Sequence, residues 1–236
     1  MEDLLKIVLS RPSHPGNIGS SARAIKVMGF NNLVLVKPKS FPHREADALA
    51  SGATDVLESA SVFSELSAAV TEETMVYGLT ARPRHFALPV LTPRQAAEEI
   101  VRSPQKTALV FGSENGGLLN EEINLCHKII TIETDESYRS LNLAHAVTIC
   151  LHELRVTLSK QPKKDECIET TYNPIGEIVN LTDHFLDVMK EVDFINNNKI
   201  KYTKMRLFNL FKRNLKDTSE IKMLRGFLSA IQKKIL

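Results

Sequence analysis

The feature that most restricts the fold of this chain is a recurrence of short, almost wholly apolar runs separated by helical patterns. The runs are residues 6–10 (KIVLS), 33–37 (LVLVK), 75–79 (MVYGL), 108–112 (ALVFG) and 129–133 (IITIE), with a weaker one at 55–58 (DVLE). Helical periodicity falls at 20–28, 44–50, 63–70, 93–101 and 141–158. Strand alternating with helix predicts parallel pairing. Strands that are apolar throughout, instead of on alternate residues, predict burial on both faces. The expected architecture is α/β: a parallel sheet with helices on both faces.

The pattern stops at 159–174 (SKQPKKDECIETTYNP), where polar residues dominate, and a helical region follows. The expected organisation is an α/β domain over 1–160, a linker over 161–174 and a helical extension over 175–236. In the extension Ile175, Ile178, Val179, Thr182, Phe185, Leu186, Met189 and Val192 share one helical face, and Ile221, Leu224, Leu228, Ile231 and Ile235 share another. Charge divides along the same boundary. Residues 1–160 carry 16 Lys and Arg against 18 Asp and Glu, whereas residues 199–236 carry 11 against 2. A near-neutral body with a basic tail points to a polyanionic partner, nucleic acid first, or to a solvated helical face. Lys199, Lys201, Lys204, Arg206, Lys212 and Arg213 are the candidate phosphate contacts, with Phe208 and Phe211 expected in the helical core.

Several classes are excluded. Ligands of an open parallel sheet bind outside the carboxyl ends of its strands. After the first strand stands NIGSSAR (residues 17–23), read as a glycine-rich loop opening a helix, but its glycines do not form Gly-x-Gly-x-x-Gly, and Lys37-Pro38 replaces the ribose-binding acid after the second strand. A nicotinamide enzyme is therefore disfavoured, as is an NTPase, for want of a Gly-Lys-Ser/Thr loop. Cys126, Cys150 and Cys167 lie far apart, which suggests neither disulfides nor zinc. No apolar stretch is long enough to span a bilayer, and the acidic start lacks a signal-peptide pattern, so a cytoplasmic protein is expected.

Two further loops carry ligand-type chemistry: FGSENGGLLNEE (111–122), rich in glycine, and SYRSLNLAHAV (137–147), with small polar residues at the mouth of a helix. Taken in order, Asn17-Ile18-Gly19-Ser20-Ser21-Ala22-Arg23, Phe111-Gly112-Ser113-Glu114-Asn115-Gly116-Gly117-Leu118 and Ser140-Leu141-Asn142-Leu143-Ala144-His145-Ala146-Val147 resemble the three motifs of the SpoU branch of the SPOUT RNA methyltransferases. The likeness is greatest to the TrmJ-type tRNA ribose 2′-O-methyltransferases, and both GLTARPR (78–84) and the helical tail share in it.

The resemblance implies a deep trefoil knot in the C-terminal part of the α/β domain. It implies S-adenosylmethionine as cofactor, held by Leu79, Thr80, Ala81, Gly112, Ile132, Ser140, Leu141 and Asn142, with no metal. It also implies a homodimer with its RNA site near the interface, and tRNA as substrate, at nucleotide 32 in the anticodon loop. Ribosomal RNA is an alternative substrate, and a non-catalytic RNA-binding protein an alternative class. Implied catalytic residues are Arg23, Asn17, Glu114, Ser140 and Asn142. A guanidinium keeps its proton to about pH 12, so Arg23 is expected to act as a cation that grips phosphate and stabilises developing alkoxide, not as a base. Asn17 would position the ribose or Arg23, and Glu114 would hold Arg23 or a backbone amide. His14, His127, His145 and His152 are read as structural.

Overall fold

A computed structural model of the chain describes residues 4–81, 88–160, 173–195, 199–215 and 217–235. The chain divides into two compact units, Met1–Glu169 and Thr170–Leu236. Most of the expected linker, and Arg82 to Arg84 of the GLTARPR segment, lie outside the described residues.

The first unit is built on a seven-stranded sheet among the described residues: β1 (Leu5–Ser10), β2 (Leu33–Val36), β3 (Ser61–Phe63), β4 (Met75–Leu79), β5 (Val90–Leu91), β6 (Thr107–Phe111) and β7 (Lys128–Ile130). The spatial order is β3-β2-β1-β6-β4-β7-β5 and every pairing is parallel. The central strands are buried along their length, as apolar runs without alternation require. Ile7, for instance, pairs with Leu33 on one side and Leu109 on the other.

The helices are α1 (Pro15–Val27), α2 (Arg44–Ala50), α3 (Thr54–Glu58), α4 (Leu66–Ala69), α5 (Pro93–Arg102), α6 (Asn120–Leu125) and α7 (Leu143–Lys160). Right-handed crossovers in this strand order send α1, α2 and α5 to one face of the sheet and α4 and α6 to the other. The packing agrees: α1 meets α2 and α7, α5 meets α7, and α4 meets α6.

Besides the unexpected strand β5 and the earlier end of β7, three segments differ from the sequence-based expectation. Residues 55–58 form helix α3, not a strand; adjacent Val56 and Leu57 are both buried, which a helix packed in a corner allows and an alternating strand does not. The edge strand falls instead at Ser61–Phe63, sharing Phe63 with the segment expected to be helical (63–70), of which only Leu66–Ala69 form α4. And the stretch read as a glycine-rich loop before a helix is already helix: α1 starts at Pro15, so Gly16 and Gly19 sit in its first turns. Their role is close packing. A Cβ on Gly19 would lie 2.1 Å from the carbonyl oxygen of Ala46 in α2.

The second unit holds α8 (Ile175–Glu191), α9 (Ile200–Asn214) and α10 (Thr218–Ile235), with α8 packed on both others. Ile175, Ile178, Leu181, Leu186, Phe208, Phe211, Ile221 and Leu228 are buried, and the rings of Phe185 and Phe211 meet at 5.0 Å. Asn173 ties the α9–α10 turn, donating to the Leu215 carbonyl (3.0 Å) and accepting from Thr218 Oγ1 (3.1 Å). Asp217 caps α10 by accepting from the Ser219 amide at 2.8 Å.

Alanine at position 19 would bring a helix-propensity gain of about 1 kcal/mol, but the backbone of Ala46 cannot yield as a side chain would. Gly19→Ala is therefore expected to destabilise by about 1–3 kcal/mol and to lower Tm by several degrees in calorimetry. An unchanged Tm would show that α1 and α2 separate freely.

Candidate active site

The order of the sheet reverses at β1 and β6: from β1 the chain runs outward to β2 and β3, and the later strands lie on the other side. Such a switch point leaves a crevice at the carboxyl ends of the strands. A cavity of about 370 Å³ opens beside it, at the ends of β4, β6 and β7. Leu79, Thr80 and Ala81 line it from β4, the turn from Phe111 to Gly117 from β6, Ile132 and Thr134 from beyond β7, and Arg139, Ser140 and Leu141 from the approach to α7.

One of its walls, from Gly112 to Gly117, is a tightly closed backbone turn. A Cβ on Gly112 would lie 2.2 Å from the Gly117 carbonyl carbon and 2.3 Å from the Leu118 nitrogen, so only glycine lets the turn close on itself. The closure is a hydrogen bond from the Gly117 amide to the Ser113 carbonyl (2.8 Å), with Gly117 at φ 65°. Opposite, the Thr80 amide donates to the Ile130 carbonyl (3.1 Å), and Thr131 Oγ1 returns a bond to the Thr80 carbonyl (3.1 Å).

At the rim, side chains from all three sequence motifs form one hydrogen-bonded chain. Glu114 accepts from the Ser13 amide (2.9 Å) and hydroxyl (2.8 Å), from the His14 amide (3.3 Å) and from Asn17 Nδ2 (2.7 Å). Asn17 Oδ1 in turn accepts from Asn142 Nδ2 (2.8 Å), and Asn142 Oδ1 caps α7 by accepting from the Ala144 (2.9 Å) and His145 (3.4 Å) amides. Helix α1 has neither a side-chain cap nor an acidic residue in its first turn, so Glu114, remote in sequence, supplies the negative charge that its N-terminus favours. Partial burial opposes ionisation of Glu114, but the bonds from Asn17 and Ser13 prevail and hold its pKa at about 2, against an ordinary 4.5.

A second anchor leaves little trace in the sequence. Glu122 of α6 is buried, accepts from the Ser10 hydroxyl and the Leu119 amide (2.6 Å), and pairs with Arg11 at 2.8 Å. Burial raises its pKa, but the bonds from Arg11, Ser10 and the Leu119 amide outweigh that and lower it overall. Arg11 also donates to the Gly117 carbonyl (2.9 Å). The only trace in the sequence is a cation just after the first strand and an acid three residues after Leu119, which by itself reads as helix capping.

The expected donor-binding residues Leu79, Thr80, Ala81, Gly112, Ile132, Ser140 and Leu141 thus all face one cavity, and Glu114 joins them. Asn142 and Asn17 stand in the rim chain behind it. Arg23 does not meet them within one chain: it is exposed on α1, six residues and so about 240° of helical rotation beyond Asn17. Of the expected phosphate contacts, Lys199, Lys201, Lys204, Arg206 and Arg213 are exposed, Lys204 paired to Asp183 (2.6 Å) and Arg206 bonded to the Tyr202 hydroxyl (3.3 Å). Lys212 departs from the expectation. It is 5% exposed with its ammonium 5.4 Å from the Phe208 ring centre, because the stripe carrying Phe208 and Phe211 turns its stem inward.

The depressed Glu114 pKa has a definite sign. Below its ordinary 4.5 the unfolded chain takes up a proton that the folded chain refuses until about 2, so the stabilisation is complete above pH 4.5 and is lost as pH falls to 2. Glu114→Gln is expected to unfold more easily than wild type in urea at pH 6, with the gap narrowing below pH 4.5 and closing near pH 2. A gap independent of pH would exclude the carboxylate charge as its source.

The family model of the SpoU rRNA methylases matches residues 4–152, and that of the tRNA methyltransferase TrmJ C-terminal domain matches residues 176–236. The tRNA (cytidine/uridine/adenosine-2′-O-)-methyltransferase TrmJ of Pseudomonas aeruginosa is 39% identical over 99% of this chain and 95% of its own length. The tRNA (cytidine/uridine-2′-O-)-methyltransferase TrmJ of Photorhabdus laumondii is 36% identical over 99% of this chain and 98% of its own. The crystal structure of TrmJ from Z. mobilis superimposes with a TM-score of 0.84 at 32% identity, covering 96% of this chain and 98% of that one. With its cavity walled by Gly112 and Leu141 and its motifs joined through Asn17, the chain belongs to the SpoU methylase family, among the relatives of TrmJ.

Proposed function

We propose that the protein methylates a ribose 2′-hydroxyl of tRNA, at nucleotide 32 in the anticodon loop, using S-adenosylmethionine, in the cytoplasm. The observation that carries this reading is the cavity at the ends of β4, β6 and β7 with the Glu114–Asn17–Asn142 chain at its rim, in a chain alike over its whole length to relatives named as tRNA 2′-O-methyltransferases. The cavity fits the donor. Its volume lies in the range of small-molecule sites, and one wall is a polar turn that closes on its own backbone because Gly112 has no side chain. Leu79, Ile132 and Leu141 offer apolar contact, while Thr80, Ala81, Gly112 and Ser140 offer polar groups and close backbone approach. Bound there, a sulfonium presents an electrophilic methyl group to in-line attack. Asn142, locked as helix cap and as donor to Asn17, fixes the wall from which Ser140 faces the incoming hydroxyl, so the protein's share is largely alignment.

The same reading includes a deep trefoil knot; β7 lies between β4 and β5, inserted between two strands that precede it in sequence. It also includes a homodimer. Arg23 is exposed and does not line the cavity of its own chain, and we assign it to the cavity of a second subunit, where its guanidinium grips an RNA phosphate bidentately and stabilises developing alkoxide charge.

Labelled donor incubated separately with total tRNA and total rRNA is expected to mark tRNA at nucleotide 32; label in rRNA alone, or none, would sink the substrate assignment. Arg23→Ala is expected to abolish transfer while leaving donor affinity nearly unchanged. Mixed with Gly112→Ala, inactive because a Cβ forces the turn that walls its cavity apart, it should recover activity, since the mixed dimer has one intact cavity facing an intact Arg23. No recovery would place Arg23 in its own chain's site. Replacing Lys199, Lys201 and Arg213 by Gln should weaken tRNA binding and flatten the plot of log affinity against log salt by about 0.7–0.9 for each phosphate no longer neutralised. An unchanged slope would remove the second unit from RNA binding.

A further inference from the structure

The wall of the cavity contributed by residues 112–117 contains no apolar side chain: Gly112, Ser113, Glu114, Asn115, Gly116 and Gly117. A Cβ on Gly116 or Gly117 would meet nothing within 4 Å, and the turn is packed only where it rests on Gly112 and on the buried Leu118. Hydrogen bonds from outside supply two further holds. One hold is the clasp of Ser13, His14 and Asn17 on Glu114. The other begins at Arg11, directly after β1.

Arg11 sits at φ 53°, a left-handed conformation uncommon for a residue with a Cβ. Its amide still donates to the Val36 carbonyl (2.7 Å), which continues the β1–β2 ladder into the turn. From this fixed base the guanidinium donates to the Gly117 carbonyl (2.9 Å), to Glu122 Oε2 (2.8 Å) and to Glu122 Oε1 (3.3 Å). Glu122 is locked in its turn by the Ser10 hydroxyl and by the Leu119 amide, two residues beyond Gly117. A planar fork can serve a carboxylate and a carbonyl at once; a lysine ammonium, a point charge on a flexible stem, holds such a pair less rigidly.

We propose that Arg11 is a positioning residue for the methyl-donor cavity: by joining the Gly117 carbonyl to the buried Glu122 it fixes the glycine wall against which the donor fits. This rests on reading the cavity as the S-adenosylmethionine site. Strain at Arg11 then has a use, since a left-handed residue persists where its surroundings over-determine it, and here both the ladder and the fork do so.

The test is titration of S-adenosylhomocysteine into the full-length protein by calorimetry, with Tm and steady-state kinetics measured in parallel. Arg11→Gln is expected to bind about tenfold more weakly, the usual loss for a charge-assisted hydrogen bond, and to raise KM for the donor similarly while kcat stays within about threefold. Arg11→Lys should fall between Arg11→Gln and wild type. Because a lone buried carboxylate could unfold the protein, Arg11→Gln with Glu122→Gln is the control; it should keep a wild-type Tm and still bind weakly. Binding within twofold of wild type in the double variant would overturn the proposal and make the pair purely structural. Loss of kcat without change in affinity would overturn it equally. A wild-type protein that fails to bind S-adenosylhomocysteine would overturn the reading of the cavity, and this proposal with it.

Discussion

One carboxylate connects the parts of this site. Glu114 receives four hydrogen bonds from residues 13–17, caps the otherwise uncapped α1, and through Asn17 reaches the cap of α7. Its partners lie about a hundred residues away in one direction, and through Asn17 it is linked to a residue 28 positions away in the other. No local preference brings these groups together. The parallel sheet does, because it aligns the carboxyl ends of β1, β6 and β7 on one edge and so delivers three loops to a common rim. Remove the charge, and two helix N-termini lose the link that fixes their separation.

Glycine then determines how close those loops can come. Gly112 permits a backbone approach that any side chain would block, and Gly19 does the same between α1 and α2. The two serve different ends. At Gly112 the absence of a side chain lets a turn close on its own backbone and so shapes one wall of the cavity. At Gly19 it seats one helix on another. Both stand in motifs that look alike on paper as glycine-rich turns.

That difference marks where the sequence was legible. The strands were, because an apolar run bounded by turn residues has few other uses, and β1, β2, β4 and β6 appear within a residue of the expected bounds. Phe208 and Phe211 were legible as core by their helical spacing. Residues 55–58 were not, since four residues with two adjacent apolar side chains satisfy a strand or a helical turn equally. Nor could the start of α1 be read correctly: glycine is a poor helix former, and only the close face of α2 explains why two occur there. Lys212 had the charge of an RNA contact but the stripe position of a core residue, and position prevailed. Arg11 and Glu122 were beyond reach, because an ion pair spanning 111 residues leaves no periodic trace.

The electrostatics of the rim also constrain the chemistry. Methylation of a hydroxyl needs a proton acceptor, and Glu114 is the carboxylate among the described residues lining the cavity, with Arg139 the other ionisable side chain there. With a pKa of about 2 and its oxygens engaged by four donors, Glu114 is far too weak a base to compete for the proton of an alcohol. Any tuning that made it a better base would require releasing Asn17 or Ser13, and with them the register of the three loops. What the structure shows of it is a fixed negative post bonded to Asn17 and, through Asn17, to Asn142. In the proposed reaction the proton therefore departs to water or to an RNA phosphate oxygen, not to this carboxylate.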